Sequence, residues 1–421
     1  MKIETKCMHE GYKPGNGEPM ALPIYQSTTY TYDSTEHIGE LFDLKAEGHM
    51  YSRISNPTVA CVEEKIAALE GGVGAVCAPS GQTANFLAVA NIAGVGDSIL
   101  CSSKLYGGTV NLFSVTIARF GIECIYFDQD ASDEEIEALI KPNTKLILAE
   151  SLANPALAVL DIERIANLAH RHGLPLIVDN TFPTPILCRP FEFGADIVVH
   201  STTKYMDGHA IQVGGVVVDS GKFDWEKNGY KGISDPDPSY HGLSYTKTFG
   251  AAAYITKMRV QLTRDLGTCP PATAAFLLDL GLQTLHLRME RHSENALKVA
   301  KFLQASDKVV SVSYPGLESD KYHELAKKYL PNGSSGVISF CIKGGKEAAV
   351  KFMDSLKLAR NVVHVASVHT LVLHPASETH RQLTEEQLVA AGIDPAMIRL
   401  SVGIEHIDDI IEDLTLGLSK C

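Results

Sequence analysis

LPLIVDNTF (residues 174–182) and ADIVVHSTTKY (residues 195–205) decide the fold. Each is an unbroken apolar run that stops at polar residues, Asp179 in the first and Ser201 to Lys204 in the second. Strands that alternate in polarity have one wet face, whereas unbroken apolar runs belong to strands covered on both faces, as in a parallel sheet. The neighbouring sequence supports this. Upstream, DIERIANLAHRHG (161–173) reads as a helix and KLILAES (145–151) as a strand, while SDEEIEALI (132–140) opens with a capping-box pattern, Ser132 with Glu135. IECIYFD (122–128) and DSILCSS (97–103) are strand-like, QTANFLAVANIA (82–93) is helical, and GAVCAPSG (74–81) is a short apolar run. NPTVACVEEKIAALEGG (56–72) predicts a helix capped by Asn56, with Pro57 in its first turn, Val59, Val62, Ile66 and Leu69 on one face, and Gly71 at its end. Strand and helix alternating in this way give an α/β fold with a mostly parallel sheet.

Downstream, GGVVVDSG (214–221) is a further strand, after which residues 221–248 form a polar, aromatic, Pro/Gly-rich excursion. The pattern then resumes as the helix LRMERHSENALKVAKFLQ (287–304), strands VVSVSYP (309–315), GVISFCIK (336–343) and MIRLSVG (397–403), and helices KEAAVKFMDSL (346–356) and IDDIIEDLTLGL (407–418). A second, smaller α/β domain follows from this.

With 421 residues, 45% of them hydrophobic, the chain can bury a large core. Its 37 basic and 50 acidic residues give a net charge of -13, which repels nucleic acid and anionic lipid alike and favours a small-molecule site. No apolar run approaches the roughly 20 residues that span a bilayer, and the first residues lack a signal-peptide core, so a cytoplasmic protein is expected. Nine scattered cysteines without a CxxC predict small buried hydrophobes, not a disulfide framework or zinc ribbon. His364, His369, His374 and His380, spaced five or six apart, suit no common metal signature, and no metal is expected. GGVGAV (71–76) and GVGDSI (94–99) both lack the last glycine of a dinucleotide fingerprint, and P-loop, zincin and nucleophile-elbow motifs are absent.

Ligands in open α/β sheets bind beyond the carboxyl ends of the strands, so Asp179 and Lys204 fall where one site contains both. Alone, such an Asp caps the next turn and such a Lys is solvated. Together they meet the needs of pyridoxal phosphate: a lysine for its aldehyde, a carboxylate for its pyridine nitrogen and donors for its phosphate. Ser80, Gly81 and Gln82 lie between a strand and a helix, where backbone N–H groups and the helix dipole favour a phosphate; Ser201 and Thr203 add hydroxyls, and Tyr106 can stack on the ring.

YSRISNPT (51–58), APSGQTA (78–84), LYGGT (105–109), ESLANP (150–155), IVDNTF (177–182), HSTTK (200–204), HPASETH (374–380) and IRLSVGIE (398–405) together resemble the cystathionine γ-synthase-like family of fold-type I pyridoxal-phosphate enzymes, over nearly the whole chain. The resemblance implies that Lys204 carries the cofactor covalently and that Asp179 faces the pyridine nitrogen. Tyr106 would stack on the ring, Gly81, Gln82, Ser201 and Thr203 would hold the phosphate, and Asn154 would lie near the ring hydroxyl. It also implies that Tyr51 and Arg53 reach the phosphate of a neighbouring subunit, that Arg399 clamps the substrate carboxylate, and that a homodimer pairs into a homotetramer. Residues 1–55 would then be an arm against the neighbour, 56–262 the cofactor domain and 263–421 the C-terminal domain. Tyr51 and Arg53 packing locally, and Arg399 pairing with Glu405, are the plain alternatives. One departure is His364, where many relatives carry serine.

Within the family, the excursion at 221–248 and the segments after it look most like the O-acetylhomoserine sulfhydrylase branch. That branch takes O-acetyl-L-homoserine and sulfide to homocysteine and acetate, with Lys204 moving protons between carbons. Gly108 stands where methionine γ-lyases usually carry cysteine. Methionine or cystathionine γ-lyase, cystathionine γ-synthase and a noncatalytic binding protein remain as alternatives. Two roles are open for the aromatic stretch Trp225 to Tyr245: a closing segment that keeps water from the reaction, or an oligomer contact or surface loop.

Overall fold

The computed structural model describes residues 1–378, 394 and 396–421. Seven strands form the large sheet: β1 (Gly74–Ala78), β2 (Ser98–Ser102), β3 (Glu123–Phe127), β4 (Thr144–Glu150), β5 (Leu176–Asp179), β6 (Ile197–His200) and β7 (Gly215–Asp219), in the order β1-β7-β6-β5-β4-β2-β3. β7 alone runs antiparallel, against both β1 and β6. The remaining strands therefore share one direction, and β2, β4, β5 and β6 are buried throughout or nearly so. One consequence matters for function: Ser80, Glu150, Asp179 and Ser201 all leave the sheet at the same edge.

One face of the sheet is covered by the helices Pro57–Glu70 and Ile162–Arg171, packed around Val62, Ile66, Ile165 and Leu168. The first is held as its sequence predicts: the Asn56 side chain accepts from the N–H groups of Thr58 and Val59, and Gly71 ends it at φ 82°, a conformation that suits glycine. The other face is covered by the helix Gly81–Ala90 and by part of the excursion. Trp225, Tyr230, Ile233 and Tyr245 are all buried there, and Trp225 stacks on Tyr254 at 5.0 Å between ring centroids. The Tyr230 hydroxyl donates to the Lys145 carbonyl at 2.6 Å, at the start of β4, the end opposite Glu150. Its buried aromatic side chains Trp225, Tyr230 and Tyr245 cover a sheet face that would otherwise be wet.

The second sheet has the order β10-β11-β12-β9-β8, with β8 (Val309–Ser313), β9 (Val337–Ile342), β10 (Arg360–Asn361), β11 (Leu371–Leu373) and β12 (Met397–Ser401). Only β10 and β11 pair in parallel. The helices Leu285–Gln304, Gly345–Ser355 and Ile407–Ser419 bury Val299, Phe352 and Leu414 against Phe340 and Ile398. The helix Ala272–Gln283 links the two regions, its Asp279 meeting Lys65 of Pro57–Glu70 in a buried ion pair.

Candidate active site

The shared strand edge opens into a cavity lined by the turns after β1, β2, β4, β5 and β6, and closed from the second sheet by Val363, His364, Val365 and Arg399. Ser80, Gly81, Gln82, Tyr106, Asn154, Asp179, Ser201, Thr203, Lys204 and Arg399, all singled out from sequence, line it together. Tyr51 and Arg53 do not. They line a separate hollow with Tyr25, Pro270 and Pro271. The Arg53 guanidinium donates to the Arg264 carbonyl and lies over the Tyr51 ring, 5.6 Å from its centroid.

The anion cradle comes from the strand-to-helix turn. Ser80 caps the helix Gly81–Ala90, its hydroxyl accepting from the Thr83 N–H at 3.1 Å. The N–H groups of Gly81 and Gln82 fall in the first turn, where a helix offers no internal acceptor, and they form the positive end of its dipole. A side chain at position 81 would lie 2.6 Å from the Ser201 Cβ, so glycine here is what lets the two turns close on one another. Thr203 behaves differently from Ser201. Its hydroxyl donates to the Gly214 carbonyl at 3.2 Å and accepts from the Gly214 N–H at 3.0 Å, which ties down the turn before β7.

Asp179 performs the plain task of its position and more. One oxygen accepts from the Thr181 N–H (3.0 Å) and from its hydroxyl (2.5 Å), and the other faces the Asn85 amide at 3.5 Å. The Thr181 hydroxyl also accepts from the Ser201 N–H at 2.9 Å, joining the turns of Asp179 and Lys204. Burial pushes the Asp179 carboxyl up, with Thr181 opposing. Among the described residues no Lys or Arg pairs with it.

Lys204 is not solvated. Burial, aided by the Arg399 charge, pushes its amine down to about 8. Arg399 itself is brought to about 10 by burial and stays a cation at neutral pH. Its guanidinium donates to the Asn154 side-chain carbonyl at 3.3 Å and to the His364 main-chain carbonyl at 3.1 Å. Glu405, the partner offered by the plain reading, is instead taken by Thr370. His364 is held neutral, at about 4, by burial and then by Lys204 and Arg399. His380 lies outside the described residues, as does Thr379 of HPASETH. Among the described residues no cluster of three His, Cys, Asp or Glu could hold a metal ion, and no helix is long and apolar enough to cross a membrane.

Sequence reading passed over Glu150 and Thr181. Both sit in quoted motifs, and the signal available was a polar residue at a strand end beside one already chosen.

A half-buried amine and a half-buried carboxyl, neither of them ion-paired among the described residues, and an anion cradle at a helix N-terminus fit the three ends of pyridoxal phosphate, and define the class of pyridoxal-phosphate-dependent enzymes. The family model described as Cys/Met metabolism PLP-dependent enzyme matches residues 4–419. The chain is 48% identical over 420 residues to a homocysteine synthase of Schizosaccharomyces pombe, covering 99% of this chain and 98% of that one. It is 44% identical to O-acetyl-L-homoserine sulfhydrylase 1 of Thermus thermophilus, with both chains fully covered. A crystal structure of a putative O-acetylhomoserine (thiol)-lyase from Campylobacter jejuni, with N'-pyridoxyl-lysine-5'-monophosphate at its position 205, superposes with a TM-score of 0.96 at 40% identity over both whole chains. The chain belongs to the family of pyridoxal-phosphate-dependent enzymes of Cys/Met metabolism, and its cofactor is pyridoxal 5'-phosphate.

Proposed function

We propose that the enzyme catalyses γ-replacement on O-acetyl-L-homoserine, with sulfide displacing acetate to give L-homocysteine. Relatives named for this activity support it. The observation that carries the choice of acyl group is the charge of the cavity. Among the described residues that line it the only cations are Lys204 and Arg399, and the remaining wall includes Val213, Val363 and Val365. Arg399 takes the α-carboxylate and Lys204 serves the reacting amine, so a neutral acetyl group fits where a succinyl or phosphoryl group would lack a countercharge.

Bound pyridoxal phosphate supplies an electron sink that lets the C–H bond beside the substrate amine break. The chain does the rest. Gly81, Gln82 and Ser201 hold the phosphate, Asp179 keeps the pyridine nitrogen protonated, and Tyr106 lies against the ring. Asn154 orients both the ring hydroxyl and Arg399. The Lys204 amine, poised near 8, removes the α-proton, carries protons at the β-carbon and returns one at the end. Tyr51 and Arg53 complete the phosphate site of a neighbouring subunit from the arm 1–55, in a homodimer that pairs into a homotetramer, with 56–262 as cofactor domain and 263–421 as C-terminal domain.

Gly108 argues against a methionine γ-lyase. A side chain there would lie 2.5 Å from the Tyr106 ring and 2.6 Å from the Gln82 amide, so the cysteine usual in methionine γ-lyases would displace both. The test is an assay of O-acetyl-, O-succinyl- and O-phosphohomoserine with and without sulfide. Sulfide-dependent homocysteine is expected from the acetyl ester above the others. Release of 2-oxobutanoate from methionine, with no such homocysteine, would establish the lyase instead.

A further inference from the structure

Glu150 ends β4 inside the cavity, fully buried, and no Lys, Arg or His forms an ion pair with it among the described residues. In the sheet register it stands beside Asp179, so a buried carboxyl and a half-buried one lie side by side. Its hydrogen bonds show what holds it there. One oxygen accepts from the Tyr106 backbone N–H at 2.5 Å, and the other from the Asn154 backbone N–H at 3.2 Å. The Asn154 side chain in turn accepts from Arg399. We propose that Glu150 is a positioning residue that sets the Tyr106 ring and the Asn154–Arg399 clamp as one unit, by holding the backbone of both loops with a single carboxylate.

The geometry asks for a carboxylate in particular. An ionised carboxyl only accepts, and both of its oxygens meet N–H groups; an amide or a protonated acid would turn a donor against one of them. Burial and the Asp179 charge push the Glu150 carboxyl well up, and the two N–H groups of Tyr106 and Asn154 are what oppose that and favour the ionised form. The loops have other fastenings. The Thr109 N–H donates to the Tyr106 carbonyl at 2.8 Å, the Ala153 N–H to the Ala158 carbonyl at 3.0 Å, and Leu152 bridges Val159. Glu150 therefore adds coupling between two turns that already close without it. Sequence offers no hint of that link, since Tyr106 and Glu150 are 44 residues apart.

This inference rests on the roles given to Tyr106 and Arg399 above, and its test avoids turnover altogether. Holoenzyme variants Glu150→Gln and Glu150→Asp are compared with the parent in two measurements. The first is the circular dichroism of the bound cofactor in its visible band, which follows ring orientation. The second is the ratio of dissociation constants for L-norvaline and n-butylamine, which differ only by the α-carboxylate and carry no γ-leaving group. In Glu150→Gln both should move: altered dichroism at unchanged cofactor content, and norvaline weakened about tenfold relative to butylamine. Glu150→Asp, one methylene shorter, can reach one N–H and should move one measurement only. A Glu150→Gln protein that changes in melting temperature alone, or in only one of the two measurements, overturns the coupling. Should that variant not fold, a Glu150→Asp protein with both measurements at parent values overturns it equally. Homocysteine formation is scored separately, so failure of the proposed substrate leaves this result standing.

Discussion

Lys204 is an amine placed where its charged form is disfavoured. Free lysine titrates near 10.5, and burial with Arg399 beyond it brings this one to about 8. The neutral form, which attacks an aldehyde, is then common near physiological pH. Because the folded value lies below the unfolded one, the penalty on the fold is full below about 8 and is relieved as pH rises toward 10.5. The apoenzyme should capture pyridoxal phosphate covalently at a rate that climbs with pH and levels off just above 8, followed by the visible absorbance of the bound cofactor. A profile still climbing at pH 10 would mean that Lys204 is solvated. Lys204→Ala should show no covalent capture at any pH and nearly no turnover. Position 204 was legible only beside Asp179, since a lysine just past a strand reads alone as solvated and the pair at neighbouring strand ends gave it meaning.

At the scale of elements, Asn56 does two tasks with one side chain. Its carbonyl caps the helix Pro57–Glu70 at Thr58 (3.0 Å) and Val59 (3.4 Å), while its amide donates to the Tyr25 carbonyl (2.8 Å) and the Ser52 hydroxyl (3.1 Å). Asn56→Ala should cost about 1 to 2 kcal/mol from the lost cap alone, read by urea unfolding of the holoenzyme. Asn56→Asp, which keeps the cap and loses the amide, should recover most of it; equal losses in both variants would assign the stability to the arm. The cap was plain in the sequence, as were the large sheet's strands, because each rests on neighbours in the chain. The helix Ala272–Gln283 was not, since ATAAFLLDLGLQ is apolar nearly all round and shows no stripe. β10 and β11, two and three residues long, are too short for any period to register. The excursion announced its aromatics but not which surface they cover, because Trp225 and Tyr230 pack against residues far away in the chain. Glu150 was missed because its partners are backbone N–H groups, one in its own following loop and one 44 residues away, and no residue type marks those.

At the scale of the molecule, apolar surface stands exposed beside both hollows. Tyr106 and Val213 at the cavity are about half exposed or more, and so are Tyr25 and Tyr51 at the second hollow, a distribution of apolar surface that calls for cover. A second copy of the chain supplies that cover if the arm of each subunit reaches the cavity of the other, and only then do Tyr51 and Arg53 meet a phosphate. A two-fold interface makes the exchange reciprocal, with both sites built the same way. Mixing a Lys204→Ala subunit with an Arg53→Ala subunit tests this directly. In the hybrid, the site around the intact Lys204 receives the intact Arg53 of the other chain, while the second site has neither. Random reassortment makes half of the dimers hybrid with one good site each, so activity should return to about one quarter of the parent's per chain, from near zero for Lys204→Ala and a low level for Arg53→Ala. Subunit exchange is verified by mass spectrometry of differently tagged chains. Verified hybrids that stay at the Arg53→Ala level would place Arg53 with Lys204 of its own chain, and the exposed surface would then require another explanation.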